Sequence, residues 1–311
     1  MSSEFDALVV GGSFAGLSGA MQIARSGRPV CVLDTGRPRN RFAAHSHGFF
    51  GQDGRPPYEM IAQARADLAR YPNVTLLHAR ATTAVGTDPG FTVTTETGRT
   101  LQAKKLLLAY GVTDLLPELP GLQERWGITA LHCPYCHGYE VKGRPLGVLN
   151  VGPLSIHQAL LISDWGPVTF FLNGQAAPDA VTLAKLTRRG VRIEPASVVA
   201  LEGPSPALSG VRLADDRLVP LEALFLGSRL RFSSDLAEQL GCATEEGLQG
   251  PLLSTDAFKQ TSVPGVYAAG DITPRIANAS MAAADGVLAG AALHQSLIFG
   301  PLADLETIPS A

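Results

Sequence analysis

The chain of 311 residues is poor in cysteine, with four, and nearly balanced in charge, with 25 Lys and Arg against 28 Asp and Glu. A formal net charge of −3 with the signs intermixed leaves no basic footprint for DNA or RNA, so no nucleic-acid partner is expected. No run of about 18 residues is free of both charge and glycine, so no membrane span is expected. The opening MSSEFDALVVGGSFAGL lacks the basic, apolar, small-residue order of a secretory signal, because acidic residues precede its apolar run and glycines interrupt it. A cytoplasmic location is therefore expected. In that compartment thiols stay reduced, so the pair in HCPYCHGYE, residues 132–140, reads as catalytic or metal-binding before structural.

The composition, 45% hydrophobic and 17% charged, suits a globular chain long enough for two domains. FDALVV reads as a buried strand, GGSFAGLSGAMQIARSG as a glycine turn running into a helix, and RPVCVLD as a second strand ending on Asp34. In this βαβ unit Gly11 permits the tight turn and Gly16 lets the helix lie against the strand. Ser13 stands where the middle glycine of GxGxxG is usual. The helix N-terminus would face a pyrophosphate, and Asp34 would accept from a ribose hydroxyl. Glycine spacing alone fits an ordinary strand-turn-helix as well. A long loop follows at residues 37–54, RPRNRFAAHSHGFFGQDG, of a length that tends to be functional. Beyond it, NVTLLHARATTAV, FTVTTET and KKLLLAYG read as strands. PLGVLNVG opens a second βαβ unit, and GVYAAGDI is a strand leading to the Ala-rich helix ANASMAAADGVLAGAALHQSLI. Such alternation predicts doubly wound α/β sheets.

VVGGSFAGLSGA, LLLAYGV, HCPYCHGYE and GVYAAGDI, in that order along nearly the whole chain, resemble the low-molecular-weight thioredoxin reductases, which are FAD-dependent disulfide oxidoreductases. The resemblance implies two Rossmann-like three-layer α/β domains. An FAD domain in two pieces, residues 1–114 and 247–311, would carry an inserted domain, residues 115–246, that holds the CxxC pair. It implies FAD contacts from Gly11, Gly12, Ser13, Gly16 and Asp34, from Gly111, and from Gly270 and Asp271, the aspartate taking the ribityl chain. The amides of Asn278 and Ala279, at the start of the last helix, would face the flavin pyrimidine, where a helix N-terminus stabilises negative charge. Asn40 and Arg41 are further expected contacts, and a homodimer is implied.

His132, Cys133, Cys136 and His137 offer metal ligands, but four within six consecutive residues can hardly surround one tetrahedral ion. No metal site is therefore expected. A structural disulfide closing two intervening residues would constrain the unfolded chain little. A redox pair remains, since a CxxC at a helix start has its thiolate stabilised by free backbone N–H groups. By resemblance Cys136 faces the flavin and Cys133 meets the substrate. The reductases usually have an aspartate after the second cysteine, whereas here stands His137. An imidazole takes a thiol proton at neutral pH better than an ionised carboxylate does, so the exchange favours deprotonating an incoming dithiol. His132 could share that role.

The inserted domain of a reductase opens with a GGGDSA-like phosphate loop and later places a His-Arg-Arg cluster on the 2′-phosphate of NADPH. This chain has NVGPLS at residues 150–155 and FFLNGQ after the next strand, without a cation in either. Pro153 removes an N–H and Leu154 is bulky where phosphate would approach. These departures resemble the dithiol oxidases that close disulfides in natural products of the gliotoxin, holomycin and romidepsin type. The implied activity is oxidation of a small-molecule dithiol, with electrons passing through the cysteine pair to FAD and then to O2. The alternatives are a thioredoxin reductase fed by NADPH or another donor, and a non-catalytic flavoprotein sensor. The substrate pocket is expected near Cys133, with His45, His47, Phe49 and Phe50 of the long loop as candidates.

Overall fold

The computed structural model describes residues 3–273 and 278–300. Its helices are α1 (Phe14–Arg25), α2 (Pro57–Leu68), α3 (Pro134–His137), α4 (Ser155–Ile162), α5 (Ala180–Arg188), α6 (Leu236–Gln239) and α7 (Ala279–Phe299). The chain packs as two units, one of residues 1–41, 58–113 and 230–311, the other of residues 42–57 and 114–229.

The first unit is built on a seven-stranded sheet. Its strands β1 (Ser3–Val10), β2 (Val30–Asp34), β3 (Val74–His78), β4 (Ala81–Thr87), β5 (Gly90–Thr95) and β6 (Thr100–Leu108) lie in the order β3-β2-β1-β6-β5-β4. Strand Val266–Ala268 runs parallel to β6 over Leu106 to Leu108. The parallel strands β2, β1 and β6 are apolar on both faces: Leu8, Cys31 and Leu106 face one core cluster while Val9, Val32 and Leu107 face the other. Burying each such leucine stabilises the fold by about 1.5–3 kcal/mol. NVTLLHARATTAV is two strands rather than one. Its chain breaks at Ala79 and Arg80, so β3 pairs in parallel with β2 and β4 turns back as an antiparallel partner of β5.

Helix α7 is long and apolar enough by length and composition to cross a membrane. It is nevertheless a core helix, with Gly286, Ala289, Gly290, Ala292 and Leu293 buried and its one acidic residue, Asp285, paired with Lys259 at 2.7 Å. It crosses α1 at backbone distance: a Cβ on Gly290 would lie 2.7 Å from the Gly19 Cα, and one on Gly286 2.8 Å from the Ala15 carbonyl carbon. Of the expected Ala-rich helix, Ala277 lies outside the described residues.

The second unit has a five-stranded parallel sheet in the order Arg192–Glu194, Val168–Phe171, Leu146–Leu149, Ala223–Phe225, Ala130–Leu131, with α4 and α5 as crossovers. An antiparallel meander, Val198–Glu202, Gly210–Leu213 and Leu218–Pro220, supplies its outer layer. The packing boundaries differ from those expected at two places. Residues 230–246 belong with the first unit, because Leu236, Ala237 and Cys242 enter its core and Gln239 bonds to Thr82 and Ala84 across β4. Residues 42–57 belong with the second, because Phe42 packs against the Leu122 and Trp126 cluster.

Candidate functional site

In the first unit β1 ends into a turn where Gly11 adopts φ 110°, a value glycine tolerates, and a Cβ there would collide with the Ala109 carbonyl. Gly12 lies against Asp34: a Cβ there would stand 2.7 Å from the Asp34 Cβ. Ser13 is the extended N-cap of α1, and its hydroxyl makes no capping bond, so the first amides of the helix are not closed off by it. Arg65 of α2 donates to Asp34 Oδ2 at 2.8 Å. Gly11, Gly12, Ser13, Gly16 and Asp34 thus form one corner, and it fits a dinucleotide cofactor, because a side chain at position 12 would fill the space beside the Asp34 carboxylate.

The second group of expected contacts lies around Gly270, at φ 82° beside the Ala15 methyl. Asp271 receives Arg39 Nη1 at 3.0 Å, with both side chains mostly buried. Arg41, the residue expected to contact the cofactor, turns back to the Pro38 carbonyl at 3.1 Å. Thr273 donates to Asp285 Oδ2 at 2.9 Å and bonds to the Gly270 carbonyl, which ties this turn to α7. Asn278 is the N-cap of α7, its Oδ1 accepting from the Met281 amide at 2.7 Å, and Ala279 is the first helical residue. Gly111 adopts φ 69°, and its carbonyl accepts from Ser233. Asn40 lies between Arg39 and Arg41, in the turn at residues 39–42.

In the second unit Cys133 and Cys136 are joined in a disulfide, with Cα atoms 5.3 Å apart. Cys133 is the N-cap of α3, and its Sγ accepts from the Cys136 amide at 3.2 Å. Pro134 suits the first helical position because its missing N–H would have no partner there. Gly138 is required where α3 ends: a Cβ would meet the Trp165 ring at 2.8 Å and the Pro134 carbonyl at 2.6 Å. Trp165 also holds Tyr135 edge-on at 5.8 Å. Gln158 of α4, a buried residue, donates to the His132 carbonyl at 2.9 Å, and the His132 ring lies 5.8 Å from that of Trp126.

His137 is half-buried, and burial lowers its pKa below the ordinary imidazole value; Glu140 opposes that shift and His47 adds to it. The long loop brings His47 to Glu140, Nε2 to Oε1 at 3.4 Å, with Asp53 on the other ring nitrogen at 3.6 Å. His45 bonds locally to the Gly54 carbonyl, and Phe50 stands almost fully exposed. The loop at 150–155 closes on itself: the Val151 amide donates to Ser155 Oγ at 3.0 Å and the Ser155 amide to the Gly152 carbonyl at 3.0 Å.

Sequence reasoning missed Arg39, Arg65, Glu140 and Gln158. The arginine density of RPRNR could have pointed to Arg39. Arg65 and Gln158 come from helices distant in sequence, and no local pattern marks them.

Comparison with known proteins bears on both units. The family model described as pyridine nucleotide-disulphide oxidoreductase matches residues 5–286. A thioredoxin reductase of Claviceps purpurea, tcpT, is 34% identical over 98% of this chain and 97% of its own. One of Leptosphaeria maculans, sirT, is 32% identical over 94% of each. Among solved structures, an oxidoreductase from Agrobacterium tumefaciens superposes with a TM-score of 0.92 at 46% identity, over 96% of this chain and all of that one. HlmI superposes with a TM-score of 0.89 at 35% identity, over 97% and 95%.

Proposed function

The chain belongs to the pyridine nucleotide-disulphide oxidoreductase family, and from that premise we propose that it oxidises a small-molecule dithiol to its intramolecular disulfide. It is an FAD-dependent disulfide oxidoreductase, similar to thioredoxin reductases. The observation that carries the finer reading is the loop at 150–155, where Ser155 already takes an amide that a dinucleotide phosphate would need. No cation stands in that loop or in residues 170–175, so the grip on a nicotinamide nucleotide is weak. Electrons then enter through the sulfur pair.

FAD would be held by Gly11, Gly12, Ser13 and Gly16 at its pyrophosphate, by Asp34 at its ribose, and by Asp271 at its ribityl chain. Gly111, Gly270, Asn40, Asn278 and Ala279 would line it, and Arg41 would have to leave the Pro38 carbonyl to join them. When bound it supplies two-electron acceptance from the reduced cysteine pair, with O2 as the proposed final acceptor. The protein's own groups do the rest. His137 takes the proton of one substrate thiol, and the thiolate attacks Cys133 Sγ and releases Cys136 as thiolate. The second substrate thiolate attacks the substrate sulfur of the mixed disulfide, closing the product and freeing Cys133, whose thiolate the Cys136 amide stabilises. The family resemblance supports a homodimer.

The names of the relatives favour a second reading, reduction of thioredoxin. Anaerobic mixing separates the two: a small dithiol such as dithiothreitol bleaches the flavin rapidly, and NADPH at micromolar concentration does not. Rapid bleaching by NADPH would reject the oxidase reading, and in air the dithiol should yield one hydrogen peroxide per disulfide formed.

A further inference from the structure

We propose that Glu140, His47 and Asp53 form a proton relay that carries the thiol proton from His137 to solvent. Glu140 lies three residues after His137, in the turn that follows α3, with Gly138 between them in right-handed helical conformation, and it is close enough for its charge to act on the His137 ring. His47 reaches Glu140 Oε1 with Nε2 at 3.4 Å and Asp53 Oδ1 with Nδ1 at 3.6 Å. Acid and base alternate along the series. An imidazole bridging two carboxylates can accept a proton at one nitrogen and release it from the other. Side-chain exposure is 25% at His47, 43% at Glu140 and 73% at Asp53, so the series starts at a half-buried base and ends in water. The hairpin that presents His47 is fixed by the Ser46 and Arg55 backbone bridge and by the Gly48 amide on Asp53 Oδ1 at 2.8 Å. Glu140 and His47 are also the charged groups whose fields act on His137.

The need for a relay follows from proton balance, and it rests on the oxidase reading above. Closing one disulfide in the substrate breaks two S–H bonds, and two electrons pass to the cysteine pair. If both cysteines are left as thiolates, both protons must leave, while His137 holds only one at a time. The same two protons are taken up again when O2 becomes hydrogen peroxide.

The test uses the holoenzyme with dithiothreitol in air, measuring peroxide across pH for wild type, His47→Ala, His47→Gln and Glu140→Gln, with and without added imidazole. Turnover of His47→Ala is expected to fall about tenfold, short of the ~10²-fold or greater loss on removing the base itself. Imidazole should restore it, and bound FAD should be unchanged. His47→Gln should be impaired as well, because an amide fills the space but does not titrate. Full activity in His47→Gln, or a loss in His47→Ala that imidazole leaves untouched, would overturn the relay. Failure of the oxidase reading is seen separately, as absence of peroxide from wild type. Anaerobic reduction of the cysteine pair by dithiothreitol would then be the step the same variants must slow, and unaltered rates there would also overturn the relay.

Discussion

Removing the Asp285 carboxylate should destabilise the first unit by about 3 kcal/mol. Asp285 is 8% exposed and holds Lys259 Nζ at 2.7 Å and Thr273 Oγ1 at 2.9 Å. Breaking a buried ion pair by deleting one partner costs ~3–5 kcal/mol, because the surviving charge is left without compensation. Lys259 keeps 17% of its side-chain exposure, and its stem can bend toward water, which places the cost at the low end. Thr273 retains the Gly270 carbonyl as a partner and adds little. About 3 kcal/mol is roughly a hundredfold in the folding equilibrium. Both tryptophans, Trp126 and Trp165, lie in the second unit, so their fluorescence reports that unit first. Urea unfolding should therefore be followed by circular dichroism and tryptophan emission in parallel, with Asp285→Ala shifting the first signal and sparing the second. Replacing both partners, Asp285→Leu with Lys259→Met, should recover most of the loss. A cost below about 1 kcal/mol for Asp285→Asn, which keeps the shape, would refute the reasoning.

Three further outcomes are expected. Gly12→Val puts a branched side chain where even a Cβ stands 2.7 Å from Asp34, so the purified protein should lose its yellow FAD absorbance while keeping its circular dichroism. Burial lowers the pKa of His137, so its neutral form persists below pH 6.5 and the acid limb of dithiol turnover should lie below the free imidazole value. The stability contributed by that neutral imidazole is fully present above the unfolded value and lost as pH falls through the lower folded one; His137→Gln should abolish both dependences. Cys31 is fully buried and its thiol is pushed up to about 12, and Cys242 is buried too. Iodoacetamide should therefore label Cys133 and Cys136 in reduced native protein and spare the other two, as peptide mass mapping would check.

The parts legible in the sequence are those in which chemistry is local. The glycine turn at Gly11, the acidic end of β2 at Asp34 and the CxxC with His137 each announce themselves within a few residues, because strand, turn and helix N-terminus follow one another along the chain. The decay of the loop at 150–155 was legible as Pro153 and Leu154, but the closure of Ser155 onto the Val151 amide was not. Arg39 on Asp271, Arg65 on Asp34 and His47 on Glu140 join segments far apart in sequence, and composition carries no trace of such pairings. The break at Ala79 was hidden because β3 and β4 have the same β-rich composition although they pair in opposite senses.

The crossing of α1 with α7 has a consequence for how this protein can change. Where Gly19 meets Gly290 and Ala15 meets Gly286, main chain touches main chain, so a single added methyl has nowhere to go. It would lever α1 away, and with it the glycine turn at the head of that helix. The tolerance of the cofactor pocket to substitution is thus limited at positions some 270 residues further along the chain, which a random library would find to be among its least forgiving.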